Sequence, residues 1–385
     1  MNKVRILLNA LVFCLVISVL SVMFVISPDQ KLSISERRLL KTFEDVKNPK
    51  ADASGNTPHP FDEIEGYMLD QFPFRDSFRS MKAFLQLDVL KKNDNNGIYQ
   101  QDGTVIKIED SLDEKQIEYT AELMKNIVKK YFSDDRVFYS VIPDKHYYAS
   151  ATNGYPAMNY DRLFEILSNE LTSMQYIDIT DNLTLSDYYK TDSHWSQEKI
   201  ADVAEELISV LNPDTKKISD YDFETEVLSP FYGVYYGQSA LSLSPDDIKY
   251  LRNKYTDEMV MTVIDDKGKP KEYPVYIKEM FSNNDPYDFF AAGAQHIIVI
   301  DNPNADNEKE LVVFRDSFGS SIAPLLSLGY KKVTFIDLRY IVPDWIKNIA
   351  NFGDDVDVLF LYSTGLVNGG RILNDFTPMT KNTLK

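Results

Sequence analysis

Three residues of this chain could together form a nucleophilic site. Asp192 and His194 lie two positions apart in the stretch Thr191–Ser196, and the chain holds only four histidines. Ser317 follows much later, between a predicted strand and a predicted helix. A serine hydroxyl becomes a nucleophile when a base lies within hydrogen-bond reach and a carboxylate fixes the tautomer of that base. The sequence therefore predicts that the two stretches meet as a Ser-His-Asp site.

The same residues also fit purely structural roles. Asp, Ser and Thr are common in the loop before a helix N-terminus, so Asp192 and His194 can belong to an ordinary pre-helix loop. The segment 316–319 can be a turn with an N-capping serine, and its local pattern alone favours that interpretation. The scarcity of histidine favours a functional His194. The dipole of the following predicted helix disfavours an imidazolium there, which keeps the ring competent as a base.

Composition and charge exclude other classes of protein. The chain has 385 residues, of which 44% are hydrophobic and 26% charged, as is typical of globular proteins. Its formal net charge of -18 argues against a nucleic-acid partner. The histidines show no metal-ligand spacing and no glycine-rich phosphate loop is present, so neither a metal nor a cofactor is predicted.

An apolar run from Ile6 to Ile26 follows Lys3 and Arg5 near the N-terminus. About twenty apolar helical residues suffice to cross a bilayer, although a cleaved signal peptide has similar features. Pro28 follows the candidate cleavage position and disfavours cleavage. We therefore predict that residues 1–27 are an uncleaved membrane anchor, with the bulk of the chain extracellular. The single cysteine, Cys14, lies within this run, so the rest of the chain has no disulfide.

The pattern after the anchor predicts an α/β domain. Residues 28–60 are polar and turn-rich and are interpreted as a stalk, and residues 61–92 have helical periodicity with a break at Phe72-Pro73. The first part of the domain, residues 61–212, contains a hairpin around Asp102-Gly103. Its further predicted elements alternate between helices (113–132, 160–171, 196–211) and strands (137–142, 175–179), as expected for a parallel sheet.

Residues 213–295 are rich in tyrosine and in β-type runs, at 231–237, 259–264 and 273–277, with a turn at 266–268. We predict that they form a β-rich insertion that covers or flanks a site. The second part of the domain, residues 296–385, resumes the alternation. Its predicted strands are 310–314, 332–337 and 356–362, and its predicted helices are 320–328, with Pro324 tolerated only in the first turn, and 343–352.

Two motifs resemble a known family. The segment Tyr188–Trp195 (YYKTDSHW) resembles the signature of the bacterial DHHW family, which is similar to the SGNH-hydrolase-like alginate O-acetyltransferase proteins. The segment Phe314–Phe318 (FRDSF) looks like the nucleophile segment of that family. Weaker matches lie at 72–76, 142–145 and 336–340. Ser193 stands where the family signature has a second histidine.

The resemblance implies an SGNH-hydrolase-like sheet, which is flavodoxin-like and circularly permuted, with helices on both faces. It implies that Asp192 orients His194 and that His194 takes the proton of Ser317. Asn368 is a candidate donor to the oxyanion. The other candidates for oxyanion or substrate contacts are Arg315, Lys145, Arg339, Tyr340 and Trp195.

The resemblance also implies a serine O-acyltransferase or acyl esterase that acts on hydroxyls of cell-surface polysaccharide. Its partners would be extracellular polysaccharide and, for transfer, a membrane-bound O-acyltransferase that supplies the acyl group. The alternative is a non-catalytic polysaccharide-binding or scaffold protein with the same fold. The sequence does not distinguish transfer from hydrolysis or identify the glycan.

Overall fold

The computed structural model describes residues 2–33, 35–49, 58–132, 136–241, 243–264, 269–340 and 356–369. These residues divide into two compact units. The first comprises residues 1–96 and 236–243, and the second comprises residues 97–235 and 244–385.

The first unit is mainly helical. In chain order its elements are α1 (Asn2–Ile26), β1 (Leu32–Ser33), β2 (Arg38–Leu39), α2 (Phe43–Lys47), α3 (Pro60–Asp70), α4 (Arg75–Phe84) and a π-helical turn at Leu85–Val89. Helix α1 is long and apolar enough to cross a membrane, by length and composition, as a signal sequence also can be. The predicted break at Phe72-Pro73 is confirmed, because α3 ends at Asp70 and α4 begins at Arg75.

The second unit contains the remaining strands and most of the helices. The strands are β3 (Ile98–Gln101), β4 (Thr104–Lys107), β5 (Val137–Ile142), β6 (Gln175–Tyr176), β7 (Glu224–Phe231), β8 (Asp246–Arg252), β9 (Val260–Ile264), β10 (Pro270–Tyr273), β11 (Ile297–Asp301), β12 (Glu310–Arg315), β13 (Lys332–Ile336) and β14 (Val356–Ser363). The helices are α5 (Glu114–Tyr131), α6 (Lys145–Asn153), α7 (Tyr160–Glu170), α8 (Ala201–Leu211), α10 (Lys254–Glu258), α11 (Gly319–Leu326) and α12 (Thr364–Asn368), and α9 (Val234–Ser239) begins in this unit and ends in the first.

A mixed sheet of eight strands forms the centre of this unit, in the order β10-β9-β11-β13-β12-β14-β5-β6. Strands β13, β12, β14, β5 and β6 are mutually parallel. Strand β11 runs antiparallel to β13, and β9 and β10 continue that edge in antiparallel pairing. The prediction of a parallel sheet is therefore right for these five strands and wrong for the edge, where β9 and β10 come from the segment 213–295.

Helices cover both faces of the sheet. Consecutive residues of β12 point to opposite sides, so Val312 lies in one apolar core and Val313 lies in the other. Helices α5 and α7 pack on the first side, and α8 and α11 pack on the second. All residues of β14 are buried, as expected for a central parallel strand that is covered on both faces.

Several predicted elements need correction. The pattern predicts β structure at 231–237, but β7 ends at Phe231 and helix α9 begins at Val234. Strand β10 ends at Tyr273 because Pro274 has no N–H for the ladder. The prediction that Pro324 falls within the first turn of its helix is wrong, because it lies in the second turn of α11, two residues before the α-helix ends and continues as a 3-10 turn.

Two further differences concern helices near the predicted site. The helix predicted at 196–211 begins as a 3-10 turn at Gln197–Lys199, and its α-helical part starts at Ala201. Helix α6, which the sequence analysis does not predict, follows Pro143 because Asp144 caps it. The predicted helix 343–352 and the turn 266–268 lie outside the described residues, as do 50–57 of the predicted stalk.

Candidate active site

Ser317 lies just beyond the carboxyl end of β12, in the turn that leads into α11. The preceding residue, Asp316, is buried and holds this turn to the neighbouring strand. One oxygen of Asp316 accepts hydrogen bonds from the backbone N–H and the hydroxyl of Ser363, at 2.9 and 2.6 Å. The other accepts from the N–H of Phe318 at 3.0 Å. The carboxyl ends of β12 and β14 are thus tied together directly beside the serine.

Asp192 and His194 lie in a tight loop whose two ends pair with each other. Tyr188 and Trp195 form an isolated antiparallel bridge, and the N–H of Tyr189 donates to the carbonyl of His194 at 3.1 Å. The buried indole of Trp195 donates to the hydroxyl of Ser321 at 2.9 Å, and also lies 3.1 Å from the Phe318 carbonyl. Because Phe318 and Ser321 belong to the turn and helix that follow Ser317, Trp195 fixes the loop against the serine.

The structure brings the three predicted residues into one hydrogen-bonded line. Nε2 of His194 lies 2.7 Å from Oγ of Ser317, and Nδ1 lies 2.6 Å from Oδ1 of Asp192. A carboxylate only accepts hydrogen bonds, so the Nδ1 proton must donate to Asp192. Nε2 is then the acceptor for the Ser317 hydroxyl, and the arrangement can pass a proton from Oγ to the imidazole. Both Asp192 and His194 are buried.

Aromatic rings enclose the imidazole. Tyr287 stacks on His194 with ring centroids 4.1 Å apart and planes inclined by 12°, and Phe318 lies 4.8 Å away. The Tyr287 hydroxyl lies 2.8 Å from Oγ of Ser321, and burial raises the pKa of the phenol well above its ordinary value. Tyr287 therefore stays neutral and confines the imidazole to a single plane.

Residues from the predicted insertion hold Asp192 in place. Oδ2 of Asp192 accepts from the N–H of Val234 at 2.7 Å, and the N–H of Gly233 donates to the Thr191 hydroxyl at 3.0 Å. Asp246 accepts hydrogen bonds from the N–H and the hydroxyl of Thr191, at 2.7 and 2.6 Å. With one carboxylate oxygen held by Val234, the other is aimed at the imidazole.

We expect Gly233→Ala to lower the reactivity of Ser317. A Cβ at position 233 would lie 2.2 Å from the carbonyl oxygen of Thr191, so the backbone next to Asp192 must move. A displacement of about 1 Å at a reacting group can cost on the order of 100-fold in rate. The measurement is the rate of labelling of Ser317 by a fluorophosphonate.

Gly365→Ala is the matched control for this substitution, because the nearest atom to its added Cβ would be 3.9 Å away. An unchanged labelling rate in the Gly233 variant, with its fold intact, would show that the contact with Thr191 does not position Asp192.

Lys145, another predicted site residue, lies buried beneath the same loop. Its Nζ donates to the carbonyls of Val105 and Lys190, at 2.7 and 3.2 Å, and lies 5.4 Å from the ring centroid of Tyr235. Burial lowers the pKa of Lys145 to about 7, although the charges of Asp192 and Asp246 act to raise it. Lys145 thus braces the loop from behind and does not contact Ser317.

This depressed pKa predicts a pH dependence of stability. In the unfolded chain a lysine titrates near 10.4, so between about pH 7 and pH 10 the unfolded chain binds more protons at this site than the folded chain. The contribution of Lys145 to the free energy of unfolding therefore rises with pH across that window. Compared with Lys145→Met, the wild-type chain should gain stability steadily from pH 7 to pH 10 in denaturant unfolding.

Lys129→Met, at an exposed position of α5, is the control for Lys145→Met and should run parallel to the wild type. A difference between wild type and Lys145→Met that stays constant with pH would contradict the lowered pKa.

The other predicted site residues have different surroundings. Arg315 is buried, and its guanidinium donates to Ser320 Oγ at 2.9 Å and to the carbonyl of Gly293 at 2.9 Å, which supports the turn after β12. Arg339 forms a two-pronged ion pair with Asp337, at 2.8 and 2.7 Å. Tyr340 is half exposed and lies beside Arg339.

Asn368, the predicted oxyanion donor, contacts the loop before α5. Its side-chain oxygen accepts from the N–H of Asp113 at 2.7 Å, and its side-chain nitrogen donates to the carbonyl of Ser111 at 2.8 Å. Its oxyanion role stays a prediction. In the described part of the chain the N–H of Ser317 donates to no protein acceptor, which leaves it available for an oxyanion.

Sequence reasoning missed Tyr287, Gly233 and Val234, although their segment was predicted to flank a site. Tyr287 is one of 24 tyrosines, and nothing in its neighbourhood marks it as a partner of His194. Gly233 gives the only available signal, since a glycine within an aromatic run can mark a close backbone approach.

The mixed eight-stranded sheet with helices on both faces defines an SGNH-hydrolase-like class of fold, and it carries a serine, a histidine and an aspartate within hydrogen-bond distance of one another. No protein-family model matches the chain, and no curated protein sequence matches it. Solved structures do match. A DHHW family protein from Eubacterium siraeum is similar with a TM-score of 0.58 and 22% identity, over 72% of this chain and 94% of that one.

Bacillus cereus PatB1 is similar with a TM-score of 0.58 and 19% identity, over 71% of this chain and 98% of that chain. A second structure of PatB1, with a sulfonyl adduct, gives a TM-score of 0.57 over the same share of this chain. The predicted resemblance to the DHHW family is confirmed by this shared fold.

Proposed function

We propose that this chain is an extracytoplasmic serine O-acyltransferase or acyl esterase that acts on hydroxyls of cell-surface polysaccharide. The observation that carries the proposal is the line from Asp192 through His194 to Ser317, with heavy-atom distances of 2.6 and 2.7 Å. Such a line generates a nucleophilic oxygen beside a base that is already oriented.

The proposed reaction has two halves. In the first, Ser317 Oγ attacks the carbonyl carbon of the acyl donor while His194 Nε2 takes the hydroxyl proton. The tetrahedral intermediate collapses, the donor's leaving oxygen takes that proton from His194, and the acyl group remains as an ester on Ser317. The N–H of Ser317 stabilises the oxyanion, and Asn368 stays a candidate second donor.

In the second half, an acceptor hydroxyl gives its proton to His194 Nε2 and attacks the acyl-serine. The intermediate expels Ser317 Oγ, which regains the proton from His194, so the acyl group ends on the acceptor oxygen. With a sugar hydroxyl as acceptor the reaction is transfer, and with water it is hydrolysis. Asp192 stabilises the imidazolium that forms transiently in each half.

The burial of the imidazole favours transfer. His194 is only 8% exposed, and the rings of Tyr287 and Phe318 flank it. Excluding water from the surroundings of an acyl-enzyme suppresses hydrolysis and leaves more time for an acceptor to bind. A membrane-bound O-acyltransferase is the proposed source of the acyl group.

The proposed location and substrate rest on separate observations. Helix α1 supports a membrane anchor, and the DHHW-like motifs support polysaccharide as the acceptor, which places the bulk of the chain outside in this proposal. We also propose the circularly permuted strand order, because Asp192 and His194 precede Ser317 in the chain. The division into 61–212, 213–295 and 296–385 stays a proposal.

The test uses the full chain in detergent micelles with p-nitrophenyl acetate as the donor. We expect acetylation of Ser317, detected by intact-protein mass, and faster release of nitrophenol when a polysaccharide acceptor is added, with the acetyl group recovered on the glycan. Release that the acceptor does not accelerate would identify an esterase. Glycan binding without acyl-serine or turnover would instead identify a binding protein and overturn the proposal.

A further inference from the structure

The first unit carries apolar side chains on its outside. On α3 they are Phe61, Ile64 and Met68, and from the N-cap of α4 through the π-helical turn they are Phe74, Phe78, Met81, Leu85 and Val89. We call these eight residues the apolar stripe; their exposed fractions lie between 41% and 74%. They recur at helical spacing, so each helix presents one continuous apolar face. Large contiguous apolar patches are uncommon on soluble surfaces and mark contact sites.

Several charged side chains of the same helices are turned inward. Arg75 of α4 pairs with Glu36, and Arg79 lies 3.0 Å from the same carboxylate. The side chains of Arg75 and Glu36 are each only 14% exposed. On α3, Glu63 is buried and accepts from Lys41 at 2.7 Å. These helices thus turn some of their charged side chains inward while the apolar stripe stays exposed, although apolar side chains are normally the ones buried.

Helix α1 meets α3 within this unit. The ring of Phe24, near the end of α1, packs edge-on against Tyr67 with centroids 5.5 Å apart. The side chain of Gln71 bonds the backbone of Gln30 through both of its polar atoms, at 2.8 Å each. Tyr67 lies between Ile64 and Met68 in the sequence of α3. The stripe therefore begins at the point where the apolar α1 ends.

We infer that the apolar stripe lies in the interfacial layer of the lipid bilayer that α1 crosses. This inference rests on the membrane anchor proposed above. Amphipathic helices with aromatic residues on the apolar face lie in the plane of the headgroups and bury that face in the upper acyl region. The exposed carboxylates of Glu65 and Asp88, beside the stripe, restrict the depth to the headgroup level. The residues 60–89 then lie along the membrane surface.

A bilayer explains the stripe better than a protein partner does. The stripe extends over two helices and the π-helical turn, and α3 contacts the end of α1, an exposed and mostly apolar helix. Burying large apolar side chains away from water is favourable in proportion to the apolar area that is removed from water. One lipid bilayer would therefore bury the apolar side chains of both α1 and the stripe.

The test measures how often a spin label collides with each of two reagents. Oxygen concentrates in lipid, whereas a nickel chelate stays in water. The full chain, with Cys14→Ser, is reconstituted in phosphatidylcholine nanodiscs and carries one label in turn through Phe78→Cys, Leu85→Cys or Met68→Cys. The control is Asp76→Cys, a side chain of α4 that is 66% exposed outside the stripe. We expect collisions with oxygen to dominate at the three stripe positions and with nickel to dominate at the control.

Nickel-dominated collisions at the stripe positions would overturn the inference. Labels that neither reagent reaches would place the stripe against protein and overturn it too. A chain that does not co-purify with nanodiscs would disprove the anchor as well, whereas the acyl-serine test above is independent of both outcomes.

A double variant tests the stripe itself. Phe78→Glu with Met81→Glu, added to the Leu85→Cys chain, should expose the label at position 85 to nickel while the chain stays in the nanodisc through α1. Full retention of the oxygen-dominated signal would contradict insertion of this face.

Discussion

Ser317→Ala is expected to lower the kcat for turnover of p-nitrophenyl acetate by about 10⁴-fold or more. The substitution removes the Ser317 oxygen that lies 2.7 Å from His194 Nε2. Without that hydroxyl, His194 has no serine proton to accept and no nucleophile is generated. Losses of this size are typical when the nucleophile of a serine triad is removed. The measurement is steady-state kinetics together with intact-protein mass, in which the acetyl adduct should disappear.

Ser168→Ala provides the matched control for this variant. Ser168 is an exposed serine on α7 whose hydroxyl bonds only the carbonyl of Glu165, at 3.1 Å, so its loss should change neither kcat nor the adduct. Turnover in Ser317→Ala within a factor of two of the wild type would exclude Ser317 as the nucleophile.

Asp192→Asn is expected to lower kcat by about 10³- to 10⁴-fold at neutral pH with little change in the fold. The carboxylate accepts from His194 Nδ1 at 2.6 Å and from the Val234 N–H at 2.7 Å. If the amide oxygen of an asparagine stays with Val234, its NH₂ group faces Nδ1 and donates to it. The proton is then held on Nε2, which can no longer accept the proton of Ser317.

Kinetics across pH separate this tautomer effect from a loss of structure. A general base that hydroxide can replace gives a rate that rises with pH, so we expect Asp192→Asn to recover part of its activity in alkaline solution. Asp178→Asn is the control, since Asp178 is exposed and its Oδ1 accepts only from residues 176 and 180. Wild-type kcat in Asp192→Asn would remove Asp192 from the mechanism.

Asp192, His194 and Ser317 could be proposed from the sequence because short segments around each of them show the relevant pattern. Asp192 and His194 share one loop, and Ser317 sits at a strand-to-helix turn that its own neighbours define. Their supports are not local. Gly233 and Val234 lie about forty residues from Asp192, and Tyr287 comes from still further along the chain. No periodicity indicates which of many tyrosines or glycines a distant loop will contact.

The fold was predictable to a similar extent. Buried strands such as Val137–Ile142 stand out as continuous apolar runs, and α5 stands out through its periodic apolar face. The direction of β11 and the recruitment of β9 and β10 to the same sheet were not predictable, because strand direction depends on the path of the connection and not on the strand's composition. Asn368 illustrates the same limit, since only the tertiary structure reveals that its amide meets residues 111 and 113.

The position of β14 has a consequence for how the chain becomes active. This strand follows every other strand described here in the sequence, yet it lies between β12 and β5 at the middle of the sheet. Its Ser363 holds Asp316 and thereby the turn of Ser317. Until β14 has been synthesised and has entered the sheet, the serine turn lacks this contact with Ser363. We therefore expect the proposed nucleophile to reach its final geometry only after β14 has joined the sheet.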